Sequence, residues 1–214
     1  MKVISDTFFD NPDTYQKLWY REEPRTRTSI EFLDSFTAQE DFLEHVDEGW
    51  AGDYPLWMNL YRIGMKCKQH IFANYDVEPD RFHDWWCRIH EDVWDRENYP
   101  SIPRQNSDIH IDTFPGFNKV INLQIYMSDN IPPEAGTCFW KYNGKENIDH
   151  NGPWSQERED WRLTSQLPFE YNTAFSYDAG PKGEFHSAPL TNDLLELGVP
   201  NHTRRVIIMR YRFT

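Results

Sequence analysis

The chain has 214 residues, 38% of them hydrophobic and 16% aromatic, which suits one domain with an aromatic-rich core and excludes a disordered chain. Lys and Arg number 22 against 35 Asp and Glu, and the formal net charge of −13 disfavours nucleic acid and anionic membrane surfaces as partners. No stretch approaches the roughly 20 apolar residues of a membrane span, the N-terminus has no apolar signal core, and Cys67, Cys87 and Cys138 lack CxxC spacing, so the expectation is a cytoplasmic protein with reduced, buried thiols.

Residues 1–30 read as an irregular wrapping segment with a turn at Asn11-Pro12-Asp13. Thr37-Ala38-Gln39-Glu40 forms a capping box, and Phe36, Phe42, Leu43 and Val46 give a helical face that ends near Gly49. Over 55–75, Trp57, Leu60, Tyr61 and Ile63 fit either a helix or a strand. The spacing then predicts a helix over 78–97: Pro79 stands near its start, and Phe82, Trp85, Trp86, Ile89, Val93 and Trp94 recur at three- and four-residue steps. His83 and His90 lie seven apart on it and read as solvated side chains in preference to metal ligands. After Tyr99-Pro100 and Pro103 strand-like runs take over. This divides the single domain into a wrapping-and-helix part, 1–104, and a β-rich core, 105–214.

Ser107 to Asp112 alternates polar and apolar residues, as a half-buried strand does. On a strand, His110 and Asp112 at i and i+2 point the same way and can grip one ion, while Ile111 faces away. His186 follows a second strand-like run, Tyr171 to Tyr177, and the Gly-Pro turn at 180–181. Two neutral imidazoles and one carboxylate can occupy one face of an octahedral ferrous ion and leave three positions open. By itself H-x-D is weak, because any two polar residues on an exposed strand face produce it.

Val120 to Met127 places Asn122, Gln124 and Tyr126 on one face and Ile121, Leu123, Ile125 and Met127 on the other, so Tyr126 is a pocket candidate, with a rim position as the alternative. A turn at Asp129 to Pro133 and a strand over Thr137 to Tyr142 follow. Residues 143–168 are polar, carry Trp154 and Trp161 and read as an ordered lid over the metal cleft. His150 lies in it with no partner at i+2. On the last strand Arg204, Val206, Ile208, Arg210 and Arg212 share one face, and Arg205, Ile207, Met209, Tyr211 and Phe213 share the other. Alternation leaves open which arginine points inward, and the more apolar second face would favour Arg205.

Taken in order, His110-Ile111-Asp112, Val120 to Met127, Glu134-Ala135-Gly136-Thr137-Cys138-Phe139-Trp140, His186 and Thr203 to Met209 resemble the Fe(II)/2-oxoglutarate-dependent dioxygenase superfamily, in its prolyl-hydroxylase-like and phytanoyl-like branch. The resemblance spans about residues 105–213 and is strongest from Ile125 to Trp140. Ala135 replaces the usual second glycine, and 141–170 is a longer connection than compact members have. The resemblance implies a mainly β fold with flanking helices, a double-stranded β-helix (jelly roll, cupin-like) packed against N-terminal helices. It implies His110, Asp112 and His186 as catalytic Fe(II) ligands, and 2-oxoglutarate and dioxygen as cosubstrates. Because the outer face of the last strand packs on helices in that family, it implies Arg204, together with Tyr126, as the anchor of the far carboxylate of 2-oxoglutarate, with Arg205 as the fallback. The implied reaction is hydroxylation of an unactivated C–H of a small-molecule or peptide substrate, with release of succinate and carbon dioxide. Related halogenases lack the carboxylate ligand, so Asp112 favours hydroxylation. The rival readings are a cupin-like metal-dependent isomerase or hydrolase and a non-catalytic small-molecule-binding barrel; stoichiometric iron uptake separates the last from the others.

Overall fold

The computed structural model describes residues 1–19, 27–32, 54–93, 109–129, 131–143, 161–188 and 203–214. Its elements are β1 (Lys2–Ser5), β2 (Arg27–Phe32), α1 (Tyr54–Asn74), β3 (Phe82–Val93), β4 (Lys119–Tyr126), β5 (Cys138–Tyr142), β6 (Trp161–Gln166), β7 (Ala174–Asp178), β8 (Phe185–Ser187) and β9 (Thr203–Phe213), with short 3-10 turns between some of them. Six strands form one antiparallel sheet in the order β1-β7-β4-β9-β3-β2, and three form a second in the order β6-β5-β8. His110 extends the small sheet by a single bridge to His186. From β3 onward the chain alternates between the sheets: β3 large, His110 small, β4 large, β5 and β6 small, β7 large, β8 small, β9 large.

The large sheet is covered on both faces. On one, Leu60, Cys67 and Ile71 of α1 pack against Trp85, Cys87 and Ile89 of β3, Ile121, Leu123 and Ile125 of β4, and Ile207, Met209, Tyr211 and Phe213 of β9. Each fully buried large apolar side chain in such a layer contributes about 1.5–3 kcal/mol. Trp85 is sandwiched between Tyr61 and Tyr211, with ring centroids at 5.9 and 5.8 Å. The helix comes this close because residue 64 is glycine: a Cβ there would collide with the Trp85 indole, and the Gly64 carbonyl accepts the Tyr211 hydroxyl at 2.8 Å. On the other face, Tyr126, Phe175, Tyr177 and Val206 of the large sheet meet Phe139 of the small one, with Leu167 and Phe169 beside them.

Several expectations change. Residues 82–93 of the expected helix 78–97 are strand β3, hydrogen-bonded to both β2 and β9. Both faces of this strand are covered, so Asp84, Trp85, Trp86, Cys87 and Ile89 are all buried; continuous burial erases the two-residue period and leaves an accidental helical one. The helix-to-strand boundary near residue 104 therefore does not hold, since β3 precedes it. Residues 1–30 are not solely irregular, because β1 and β2 pair with β7 and β3 at the two edges of the large sheet. The open choice over 55–75 resolves as helix α1. Of the expected lid 143–168, residues 161–166 are strand β6, paired with β5. Residues 144–160 with His150, and the capping box at 37–40 with its helix, lie outside the described residues. Cys67, Cys87 and Cys138 are buried thiols outside any disulfide among the described residues. Among the described residues no helix is long and apolar enough to cross a membrane.

Candidate metal centre

His110 and His186 are held as a backbone pair: each N–H donates to the other's carbonyl, at 3.0 and 2.9 Å. Their imidazole centroids lie 4.4 Å apart. Two residues on, the Asp112 N–H donates to the Ala179 carbonyl at 2.6 Å, which turns its carboxylate toward the imidazoles. The stretch thus contributes one bridge and a tether where sequence alternation suggested a strand, and 107–108 lie outside the described residues. His110 Nε2 is 3.9 Å from Asp112 Oδ1 and His186 Nε2 is 3.7 Å from Oδ2. One ligand atom from each of the three lies within 4.8 Å of the others, a spacing that could hold one metal ion.

The protonation states suit a cation. His186 Nδ1 faces the Glu184 carbonyl at 3.0 Å; a carbonyl only accepts, so the proton sits on Nδ1 and the Nε2 lone pair is left for the metal. Burial, aided by neighbouring His110, pushes the His186 pKa down to about 3 against the pull of Asp112. Burial opposes ionisation of Asp112, yet Arg210, His186, His110 and the hydrogen bond from Asn122 together hold its carboxyl below the usual range. A neutral imidazole and an ionised carboxylate therefore meet there. His110 is the open side of the centre, with 41% of its side chain exposed against 5% for His186.

Across from this centre the large sheet presents one row. Trp86 on β3 is registered with Arg210 on β9, Arg210 with Asn122 on β4, and Asn122 with Tyr177 on β7. Arg210 Nη2 lies 2.8 Å from Asp112 Oδ2, its Nε donates to Asn122 Oδ1 at 2.8 Å, and its guanidinium stacks between Trp86 and Phe114 at 4.5 and 5.1 Å. Asn122 Nδ2 donates to Asp112 Oδ2 at 2.6 Å. Two donors thus occupy Oδ2, and Oδ1 is the oxygen they leave.

Further along β4, Gln124 Nε2 donates to the Tyr177 hydroxyl at 2.6 Å and Gln124 Oε1 accepts the Thr137 hydroxyl at 2.9 Å. The Tyr126 hydroxyl donates to Thr137 Oγ1 at 3.0 Å and accepts the Thr137 N–H at 2.7 Å. Arg204 is 4% exposed; its Nε donates to the Ala135 carbonyl at 2.9 Å, its Nη2 to Thr137 Oγ1 at 3.3 Å, and its guanidinium lies 5.7 Å from the Tyr126 ring. Arg205, on the other face of β9, donates to Gln16 Oε1 at 3.2 Å. A continuous polar chain therefore runs from Asp112 through Asn122, Tyr177, Gln124 and Thr137 to Tyr126 and Arg204. The sequence reading had no role for Thr137, Tyr177 or Arg210. Their link to the site depends on strand register, and for Arg210 the one available signal was its place on the Arg204 face. His83 is half exposed, at 2.9 Å from Asp84 Oδ2, and is not part of the metal group. The His90 side chain lies outside the described residues.

No family model matches the chain, and no curated protein matches it. Among solved structures, HygX from Streptomyces hygroscopicus, with nickel and 2-oxoglutarate bound, is similar at 11% identity and a TM-score of 0.49, over 99% of this chain and 82% of that one. AviO1 from Streptomyces viridochromogenes is similar at 17% identity and a TM-score of 0.39, over 90% and 69%. A Pseudomonas putida prolyl-4-hydroxylase is similar at 9% identity and a TM-score of 0.35, over 96% and 83%.

Proposed function

We propose that the chain is an Fe(II)- and 2-oxoglutarate-dependent oxygenase that hydroxylates a C–H bond of a small-molecule or peptide substrate, on a double-stranded β-helix of jelly-roll type. The observation that carries this reading is the meeting of His110, Asp112 and His186 at one end of a polar chain whose other end is a buried arginine, Arg204. Sheet alternation along the chain and a helix-covered large sheet suit that fold. Buried thiols outside any disulfide suit a reducing compartment, and we infer a cytoplasmic protein.

The donor set fits ferrous iron: two imidazole nitrogens and a carboxylate oxygen would hold it and leave coordination positions open. When bound, iron with 2-oxoglutarate supplies oxidative decarboxylation to succinate and carbon dioxide, the source of oxidising power for C–H hydroxylation. The chain's residues supply the rest. Asn122 and Arg210 orient the Asp112 carboxylate through Oδ2, and the Glu184 carbonyl fixes the His186 tautomer. Arg204, held flat by the Ala135 carbonyl and Thr137, offers its planar fork to a carboxylate, with the Tyr126 hydroxyl beside it. The wall between the two ends, built from Phe139, Phe175, Tyr177 and Val206, excludes water. Asp112 fills the position a halide would need, which favours hydroxylation.

The test is turnover. Protein supplied with Fe(II), 2-oxoglutarate and air should form succinate, and His186→Ala should abolish it. Iron uptake with no succinate from any candidate small-molecule or peptide substrate, nor without one, would move the cupin-like isomerase or hydrolase to the front.

A further inference from the structure

Tyr177 is fully buried on β7, with its ring edge-on to the His186 imidazole at 4.8 Å. Its hydroxyl accepts an amide hydrogen from Asn122 at 3.2 Å and another from Gln124 at 2.6 Å. A phenol also carries a hydrogen of its own, and among the described residues no acceptor meets it. The neighbours show why. The Asn122 amide cannot be turned round, because its oxygen takes the Arg210 N–H and its nitrogen gives to the Asp112 carboxylate. The Gln124 oxygen takes the Thr137 hydroxyl hydrogen, while Thr137 Oγ1 already receives Tyr126 and Arg204. Turning the Gln124 amide round would give Tyr177 an acceptor but strand a hydroxyl hydrogen at Thr137 or Tyr126. In either orientation of the Gln124 amide, the three hydroxyls therefore hold one hydroxyl hydrogen that no partner among the described residues accepts.

A buried donor without an acceptor is costly, and natural interiors keep very few. This one sits one residue from the metal ligands: Asn122 Nδ2 touches both the Tyr177 hydroxyl and Asp112 Oδ2. We propose that Tyr177 is a ligand-positioning residue whose hydroxyl donates its hydrogen to an oxygen of the metal-bound 2-oxo acid, a protein contact to that ligand additional to Arg204. The assignment rests on the function proposed above. Its consequence is selectivity: a ligand is favoured when it places an acceptor against β7 as well as a carboxylate against Arg204.

The test uses the full chain loaded with Fe(II) without oxygen, titrated with 2-oxoglutarate and followed by the visible charge-transfer band. Tyr177→Phe keeps the ring packing and should weaken 2-oxoglutarate about tenfold, the scale of one hydrogen bond to a charged group. Iron affinity should not change, and the band should move to shorter wavelength, since a donor on the ligand lowers the energy of its acceptor orbital. Incorporating 3-fluorotyrosine at position 177 retains the hydroxyl and the packing while strengthening the donor, and should move the band the other way; this arm holds even if the phenylalanine variant fails to fold. Unchanged affinity and band in Tyr177→Phe would overturn the proposal, as would a band unmoved by fluorotyrosine. Tyr126→Phe, at the Arg204 anchor, should weaken 2-oxoglutarate as well; loss of affinity there with none in Tyr177→Phe would put the unplaced hydrogen at the Arg204 end and overturn the proposal. A wild-type protein that binds iron but gives no band with 2-oxoglutarate fails at the earlier step, and the oxygenase reading falls with the proposal.

Discussion

Arg210 Nη2 lies 2.8 Å from Asp112 Oδ2, so a carboxylate poised for a metal is also half of a buried ion pair. Removing one partner of such a pair leaves the other charge buried and uncompensated, at a cost of about 3–5 kcal/mol. Arg210→Met should therefore destabilise the metal-free protein by about that much. A divalent cation on the triad would neutralise Asp112 from the other side, so saturating Ni(II) should recover a large part of the loss. Urea unfolding with and without metal measures both. Equal losses in the two conditions would mean that Arg210 does not act through Asp112.

Acid should weaken the metal-free fold through the same centre. An unfolded imidazole titrates near 6.5, whereas burial keeps His186 neutral down to about 3. Between those values the unfolded chain binds a proton that the native chain refuses, so stability is complete above 6.5 and falls as the pH drops. Asp112 acts with the same sign at lower pH, because its carboxyl is held below the ordinary 3.8. From pH 6.5 to roughly 5 the His186 share alone is about 2 kcal/mol. His186→Gln should flatten this part of the pH profile of urea unfolding. A wild-type profile already flat over that range would contradict the burial of a neutral imidazole.

Gly64→Ala tests the seat of α1. The added methyl would meet the Trp85 indole, which Tyr61 and Tyr211 hold on both faces and which therefore cannot step aside. Overpacking of this kind costs about 1–3 kcal/mol. The thermal midpoint should fall while Ni(II) stoichiometry stays the same, because the triad lies on the opposite side of the sheet. An unchanged midpoint would show that the helix can shift without penalty.

Much of this arrangement could be read from the sequence. His110, Asp112 and His186 are legible less by residue type, since H-x-D alone is weak, than by their order along the chain, which resembles the dioxygenase superfamily, and they do meet. The β4 faces were legible too: Ile121, Leu123 and Ile125 lie in the helix-facing layer, and Asn122, Gln124 and Tyr126 face the small sheet. The faces of β9 were ambiguous because each carries an arginine at its start, and alternation alone cannot say whether the more apolar face, Arg205 to Phe213, meets the small sheet or a helix; what decides it is α1, which buries Ile207, Met209 and Tyr211. Strand β3 misled because a strand covered on both sides loses its alternation, and its aromatic residues fall by chance at helical steps. The edge strands are short: β1 has four residues, and β2, although Thr28, Ile30 and Phe32 alternate with Arg27, Ser29 and Glu31, has six; both are fixed as strands by pairing with β7 and β3. The row Trp86, Arg210, Asn122, Tyr177 was invisible for a different reason: it is a product of inter-strand register, and no local sequence pattern encodes which residues of four distant strands stand side by side.

The most direct measurement is anaerobic visible absorption of the protein with Fe(II), before and after 2-oxoglutarate, in wild type, His110→Ala, Arg204→Ala and Arg205→Ala. The expected result is a charge-transfer band that needs both additions, is lost without His110, and demands on the order of ten- to a hundredfold more 2-oxoglutarate without Arg204, the worth of one charge-assisted carboxylate contact. Arg205→Ala should titrate like wild type. Iron binding with no band at saturating 2-oxoglutarate, or a band indifferent to Arg204 and sensitive to Arg205, would contradict it.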